Sequence, residues 1–404
     1  MNYIIKTLFF LLLASNFVYA QNSKVIAGPM ISFIDYYGTE IWFLLDTDVK
    51  TIEIDIRDYE NDKLLEYDFD VTHENQFDTY TPFTVLLDKL LPNQEYIASI
   101  SVDGVFVKEI DIFTKRPHLD DIQFLLGYNI GSTPSNIFSY MQQTNSDFMV
   151  WLGGHVNLQK PLTFKNVMNS YIDIRKKPYL NEFMSSIPQI ATWNDLDYGI
   201  ENKGDFLAMR DSIYLAFDLF WPNSVRKTYN YTYYDYGTYQ RYTYNDVDVF
   251  LLDSETFDNT NTLYGDKQLE RLFQEINNTG STFTIIASST PFTFEAKESF
   301  LNYGKQFKYF MERLQIAKPN GLILVTTGAK EGTKLNRIHF SSDKELNNNS
   351  SSVTEFNISS LADNNYSLIS VKGSSKDRIL SFETYNQNGN LIYKKSFHQN
   401  ELTN

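Results

Sequence analysis

The chain has 404 residues, 42% of them hydrophobic, enough for two or three domains with cores of their own. Its 50 acidic and 35 basic residues leave a formal charge of −15 at pH 7, a field that repels phosphate polymers unless a local basic patch overrides it. The run Arg175-Lys176-Lys177 is too short to do so, and the composition argues against nucleic-acid binding.

Residues 1–20 read as a signal peptide. Lys6 supplies the charge, Leu8 to Ala14 the apolar stretch, and Val18-Tyr19-Ala20 the cleavage site before Gln21. That apolar run is shorter than the ~20 residues a membrane-spanning helix needs, and no later segment reads as one. The expected location is therefore periplasmic or secreted. With no cysteine, the chain has no disulfide, thiolate metal site or lipidated cysteine, and a core of this size does not need disulfides.

Residues 21–117 read as one small β-sandwich of the fibronectin III/Ig type. Ile41-Trp42-Phe43-Leu44-Leu45, Ile52 to Ile56 and Tyr96 to Val102 are rich in β-branched and aromatic residues. Asp103-Gly104 predicts a two-residue hairpin turn into Val105-Phe106-Val107. Pro117 marks the linker to residues 118–404, where the period changes. Strands are predicted at Phe124 to Gly127, Phe148 to Leu152, Val247 to Leu252, Phe283 to Ala287 and Leu322 to Thr326. Between them, helices are predicted at Pro134 to Gln143, Ala208 to Phe220, Gln268 to Ile276 and Lys305 to Leu314, from apolar residues at helical spacing. Such alternation predicts an α/β sandwich that binds ligands at the strand C-terminal ends. Arg378 to Phe397 closes the chain as a β-hairpin turning at Asn388-Gly389, and Asn347 to Ser352 reads as a loop.

The segments Leu152-Gly153-Gly154-His155-Val156-Asn157 and Trp193-Asn194-Asp195-Leu196-Asp197-Tyr198-Gly199 carry a family likeness. Together with Ala27-Gly28-Pro29, Ile41-Trp42, Phe250-Leu251-Leu252-Asp253 and Tyr264-Gly265-Asp266-Lys267-Gln268, in that order, they resemble the PhoD-type alkaline phosphatase/phosphodiesterase family. The resemblance implies a metallophosphatase-like α/β/β/α sandwich behind the N-terminal β-sandwich. It also implies a centre of two metal ions that hydrolyses phosphate esters. Two cations ~3.5–4 Å apart stabilise the entering and leaving oxygens and generate hydroxide near neutral pH, and hard divalent ions need several anionic or imidazole ligands.

Those ligands are where the sequence departs from the family. Gly127-Tyr128-Asn129 stands at the GSC-like motif, and Gly154 replaces the aspartate of LGD. Asn194, Asp195, Leu196 and Asp197 cover the WDDHD motif, keeping two aspartates and losing the histidine. Gly328-Ala329-Lys330-Glu331 replaces GDRH, and Glu255 stands at the arginine of LDxR, reversing its charge. Losing several ligands at once is expected to abolish the site, since even outer-shell changes typically cost about 10–100-fold. No metal, cofactor or catalytic residue is therefore expected. If a site is rebuilt, His155, Asp195, Asp197 and Glu331 are the residues left to hold the metal, with Asp253 nearby. His73, His118, His339 and His398 form no ligand spacing. The chain also lacks a G-x-S-x-G elbow, a phosphate loop and an H-E-x-x-H motif.

The segment Tyr229 to Tyr244 is dense in tyrosine. It reads either as a β-hairpin of packed aromatics turning at Gly237, or as a recognition surface built on Tyr231, Tyr233, Tyr236, Tyr239 and Tyr242. A sugar or protein partner suits the second reading. The expected function is an exported pseudophosphatase that binds a protein or glycan or serves in an envelope assembly. The alternative is an active phosphatase with a rebuilt metal site.

Overall fold

The computed structural model of the protein describes residues 24–65, 69–199, 203–222, 235, 237–294, 299–329, 332–339 and 352–402. The first strands are β1 (Val25–Ile34), β2 (Thr39–Asp46), β3 (Ile52–Asp58), β4 (Asp70–Glu74), β5 (Tyr80–Leu87), β6 (Glu95–Val102) and β7 (Val105–Phe113). They form two antiparallel sheets, ordered β1-β2-β5-β4 and β3-β6-β7. The period of two decides what each face does. Along β6, Tyr96, Ala98, Ile100 and Val102 are buried and the residues between them are not. The first three join Ile41, Phe43, Ile54, Ile56, Val85, Ile110 and Ile112 in an apolar core shared by the two sheets. The turn between β6 and β7 has both central residues at positive φ, Asp103 at 50° and Gly104 at 74°, the backbone a tight hairpin requires.

The remaining strands are β8 (Ile122–Gly127), β9 (Phe148–Leu152), β10 (Gln189–Thr192), β11 (Gln240–Tyr244), β12 (Val247–Leu252), β13 (Phe283–Ser288), β14 (Leu322–Ala329), β15 (Lys334–His339), β16 (Ser352–Ser359), β17 (Asn365–Lys372), β18 (Ile379–Asn386) and β19 (Leu391–His398). They make two six-stranded sheets, β10-β9-β8-β17-β18-β19 and β11-β12-β13-β14-β16-β15. Each sheet contains a parallel run: β8, β9 and β10 at one side of the first, where β17, β18 and β19 continue antiparallel, and β12, β13, β14 and β16 in the middle of the second. Phe124, Phe148, Val150, Val249, Ile285, Val325, Phe356 and Phe382 come from both sheets and fill a common core between them. Helices α1 (Ser135–Gln142), α2 (Phe164–Arg175), α3 (Pro178–Met184), α4 (Asp195–Tyr198) and α5 (Lys203–Phe220) accompany the first sheet, while α6 (Asp266–Asn277) and α7 (Gly304–Ala317) cover the second.

The N-terminal sheets pack onto this body. Ala27, Met30, Trp42 and Leu44 bury their side chains in the same apolar cluster as Trp151, Tyr171, Phe183 and Phe220. Trp42 is fully buried and donates its indole N–H to the Leu219 carbonyl at 2.7 Å. The buried Arg175 guanidinium lies 4.9 Å from the Trp42 ring and 4.1 Å from the Trp221 ring, a cation held between aromatic faces.

Two departures from the sequence reading concern elements near the site. Helices α2 and α3 are not among the predicted ones. Thr163 caps α2 by accepting from the Asn166 amide, and Pro178 opens α3 at its first helical position. The tyrosine-rich segment does not form its own hairpin over the described part. Gly237 is in a turn, but Gln240–Tyr244 pairs with β12. Tyr239 and Tyr242 are 3% and 2% exposed, so neither ring offers a recognition surface. Tyr231, Tyr233 and Tyr236 lie outside the described residues.

Candidate functional site

The parallel strands of both sheets end on one rim, and hydrogen bonds tie those ends together. The Thr192 hydroxyl reaches the Leu252 carbonyl at 3.3 Å, Ser254 Oγ meets Ser289 Oγ at 2.7 Å, and the Gly328 amide donates to the Tyr128 phenol at 3.1 Å. This is the C-terminal edge at which open α/β sheets place ligands, and the described metal-site candidates of the sequence lie along it or behind it.

Asp197 is the best-defined of them. It is fully buried; one carboxylate oxygen accepts from the His155 and Val156 amides at 2.7 and 3.0 Å. The other accepts from Gly154 and Asn194 at 2.8 and 3.1 Å. Burial pushes this carboxyl up to about 7, and the four amide donors pull against the shift. Asn194 adds a second tie, its side-chain oxygen accepting from the Gly154 amide at 2.9 Å and from Leu196 at 3.0 Å. Asp197 and Asn194 thus act as a clamp between α4 and the loop after β9.

That loop has no room for a side chain at Gly154. A Cβ there would lie 2.6 Å from Asn129 Cα and 2.7 Å from Asn129 N, at a φ of 69°. The 129–130 segment is held in that place by its own amides, Asn129 N–H to the Gly153 carbonyl at 2.9 Å and Ile130 N–H to the Gly154 carbonyl at 2.8 Å. The backbone of a neighbouring loop fills the space that an aspartate would need.

His155 faces the other way, into the helix-side core. It is 1% exposed, its ring centroid 4.4 Å from that of Trp221. Nε2 donates to the Thr192 carbonyl at 2.9 Å, which leaves Nδ1 buried with no partner. Desolvation pushes the ring down to about 3, so it is neutral.

Asp253 is also saturated. Its two oxygens accept from the amides of Glu255, Thr256 and Thr238 at 2.9, 2.9 and 2.7 Å, and from the hydroxyls of Thr238 and Thr256 at 3.2 and 2.6 Å. Asp195 and Leu196 are half-buried, and one Asp195 oxygen accepts from the Leu196 amide at 2.9 Å. Glu255 is the residue that sequence reasoning undervalued. Burial raises its pKa well above the usual carboxyl range, and the negative charges of Asp195 and Asp253 add to the effect. Ala329 is buried and pairs with Ser359, while Lys330 and Glu331 lie outside the described residues.

Further described residues bring hydroxyl and amide groups to the rim. Thr290 and Ser289 bond Ser254, Thr327 bonds the Ser289 carbonyl, and the Asn357 amide bonds Thr326 Oγ1 at 3.0 Å. Tyr128 bridges the two sheets through Gly328, a contact with no signal in the sequence beyond its place after β8. Among the described residues, no three or more histidines, aspartates or glutamates come together in a way that could hold a metal ion.

A solved structure of PhoD matches this chain with a TM-score of 0.72 at 13% sequence identity, covering 93% of this chain and 94% of that one. The chain has a PhoD-like fold. It is therefore a phosphatase-fold protein in architecture, and the likeness at this identity extends to the fold alone. An amylomaltase from Corynebacterium glutamicum and a cyclomaltodextrinase also match, but at TM-scores of 0.19 and 0.20 they carry no argument. No protein-family model and no curated protein sequence matches the chain.

Proposed function

We propose that this PhoD-like chain has lost metal-dependent phosphoester hydrolysis and works as an exported binding or envelope-assembly protein. One observation carries the reading: among the described residues, the positions where the fold would hold metals carry a glycine, a histidine turned into the core and carboxylates already saturated with hydrogen bonds. Asp197 and Asp253 accept four and five hydrogen bonds from neutral donors of the chain itself. A carboxylate so saturated would have to give up amide partners to bind a cation, leaving buried donors unsatisfied at roughly 1–3 kcal/mol each. His155 contributes to the core, and Gly154 sits where a carboxylate cannot be accommodated. The described residues do not fit a dinuclear metal centre.

The accompanying parts of the proposal are a signal peptide at 1–20, a fibronectin III/Ig-like β-sandwich at 21–117 and the degenerate phosphatase-like domain at 118–404. The partner is a protein or a glycan, met at the old cleft mouth. The formal charge of −15 supports a partner that is not a phosphate polymer. The test is hydrolysis of bis-p-nitrophenyl phosphate by the purified protein across several divalent ions, with the Asp195→Ala and His155→Ala variants alongside. No metal-dependent turnover is expected, and turnover that disappears in either variant would refute the proposal.

A further inference from the structure

A groove beside the rim carries an aromatic ring that none of the cores uses. The groove has a volume of about 380 Å³ and follows the loop between β12 and α6, lined by Thr256, Phe257, Asp258, Thr262, Gly265 and Asp266 among others. The loop starts at the rim, where Asp253 ties down the Glu255 and Thr256 amides. Asn259 stiffens the rest of it. Its side-chain oxygen accepts from the amides of Asn261 and Thr262 at 2.9 and 3.2 Å, and its nitrogen donates to the Phe257 carbonyl at 2.9 Å. Phe257 is thus carried on a preorganised backbone.

Phe257 is half-buried and belongs to none of the four apolar clusters. A Cβ on Gly265 would lie 2.8 Å from its Cγ and Cδ2 and 3.1 Å from its Cδ1. A point so nearly equidistant from three ring carbons stands over the ring and not at its edge, so one face of Phe257 lies flat on the glycine. The opposite face is the one left to the groove. Around the ring stand oxygens: hydroxyls from Thr256 and Thr262, carboxylates from Asp258 and Asp266. Asp258 accepts from the Tyr303 phenol at 2.5 Å, and Asp266 stands in the first turn of α6, where the helix dipole offsets its charge. The described lining residues include no lysine or arginine.

An aromatic face edged by oxygens fits a molecule with an apolar C–H face and a rim of hydroxyl donors, and a pyranose has both. A phosphate would meet two carboxylates and no cation, and a purely apolar ligand would strip water from the oxygens without replacing its hydrogen bonds. The volume equals about a dozen waters at ~30 Å³ each, room for about one or two sugar rings. We propose that this groove is a binding subsite for a neutral glycan, one pyranose stacking its C–H face on Phe257 and donating hydroxyls to Asp258 and Asp266. The inference rests on the binding role proposed above for the cleft mouth and narrows its partner to a glycan.

The test uses the full chain with maltose, cellobiose and xylobiose as probes, and inorganic phosphate and lysine methyl ester as controls. Binding is read by isothermal titration and by saturation-transfer NMR, with thermal midpoints to show that each variant is folded. Phe257→Ala removes the platform. Gly265→Ala keeps the ring but lifts it off its seat, at a φ of −67° that alanine adopts freely. Asp266→Asn keeps an acceptor oxygen and removes the charge. Saturable binding of at least one disaccharide is expected, weakened at least tenfold by Phe257→Ala and by Gly265→Ala and less than threefold by Asp266→Asn, with neither control bound. No binding of any of the three disaccharides, or binding unchanged in Phe257→Ala, would overturn the inference. So would binding of lysine methyl ester that disappears in Asp266→Asn, which marks a dock for a basic protein segment. Metal-dependent turnover of bis-p-nitrophenyl phosphate by the same preparation would instead refute the loss of hydrolysis and leave a measured sugar affinity standing.

Discussion

Restoring the missing carboxylate by Gly154→Asp should damage the fold rather than rebuild a site. The new Cβ would stand 2.6 and 2.7 Å from backbone atoms of Asn129, where carbon contacts normally settle at about 3.5–4.0 Å. The 129–130 segment must therefore retreat by about 1 Å, stretching the two amide bonds that hold it to the Gly153 and Gly154 carbonyls. Overpacking of this kind costs about 1–3 kcal/mol, and a side chain in the left-handed region adds about 1–2 kcal/mol. Gly154→Asp is thus expected to lose about 3 kcal/mol, and Gly154→Ala, which has the same Cβ without the charge, nearly as much. Urea unfolding of the three proteins, compared at a common slope, measures it. Were Gly154→Ala to cost less than about 1 kcal/mol, the space would be open and the steric argument wrong.

Other expectations come from the same structure. Burial raises the folded pKa of Asp147 from 3.8 to about 6, so its neutral form is favoured in the folded state. The stability this contributes is present below about pH 4 and is lost as pH rises through 6. It amounts to about 3 kcal/mol, and Asp147→Asn should flatten the slope of stability against pH over that window. Tyr128→Phe should cost about 1 kcal/mol by unpairing the Gly328 amide, seen in the unfolding midpoint, with no gain of hydrolysis. Trp42→Ala should cost about 3–5 kcal/mol and separate the N-terminal sheets from the body, detectable as new protease cleavage near residue 117.

Much of the fold was legible because burial imposes periodicity. β9, β12 and β13 are buried at every residue and mostly apolar, and the strands predicted there match them to within one residue. Helix α6 was equally plain from Leu269, Leu272, Phe273 and Ile276. Helix α2 was missed although Val167, Met168, Tyr171 and Ile172 stand at helical spacing, with Asn166, Asn169 and Asp173 off the buried face, and α3, at 7 residues, is too short to establish a period. At the rim, the sequence told which ligand types were absent but not what replaced them. Asp197 reads as a surviving ligand in WDDHD, yet its partners are backbone amides, which carry no residue signature. His155 follows Gly154 directly, yet the turn at Gly153-Gly154 sends its ring into the helix-side core. The tyrosine-rich segment looked like a surface because tyrosine alternates there, and only the pairing of Gln240–Tyr244 with β12 shows Tyr242 to be core.

The loss of the metal centre is the central claim, and elemental analysis of the purified mature protein tests it most directly, after dialysis against manganese, zinc, calcium and iron in turn. Metal well below one ion per chain under every condition is the predicted result. One or two tightly held ions per chain, released by Asp195→Ala or Asp197→Asn, would contradict it.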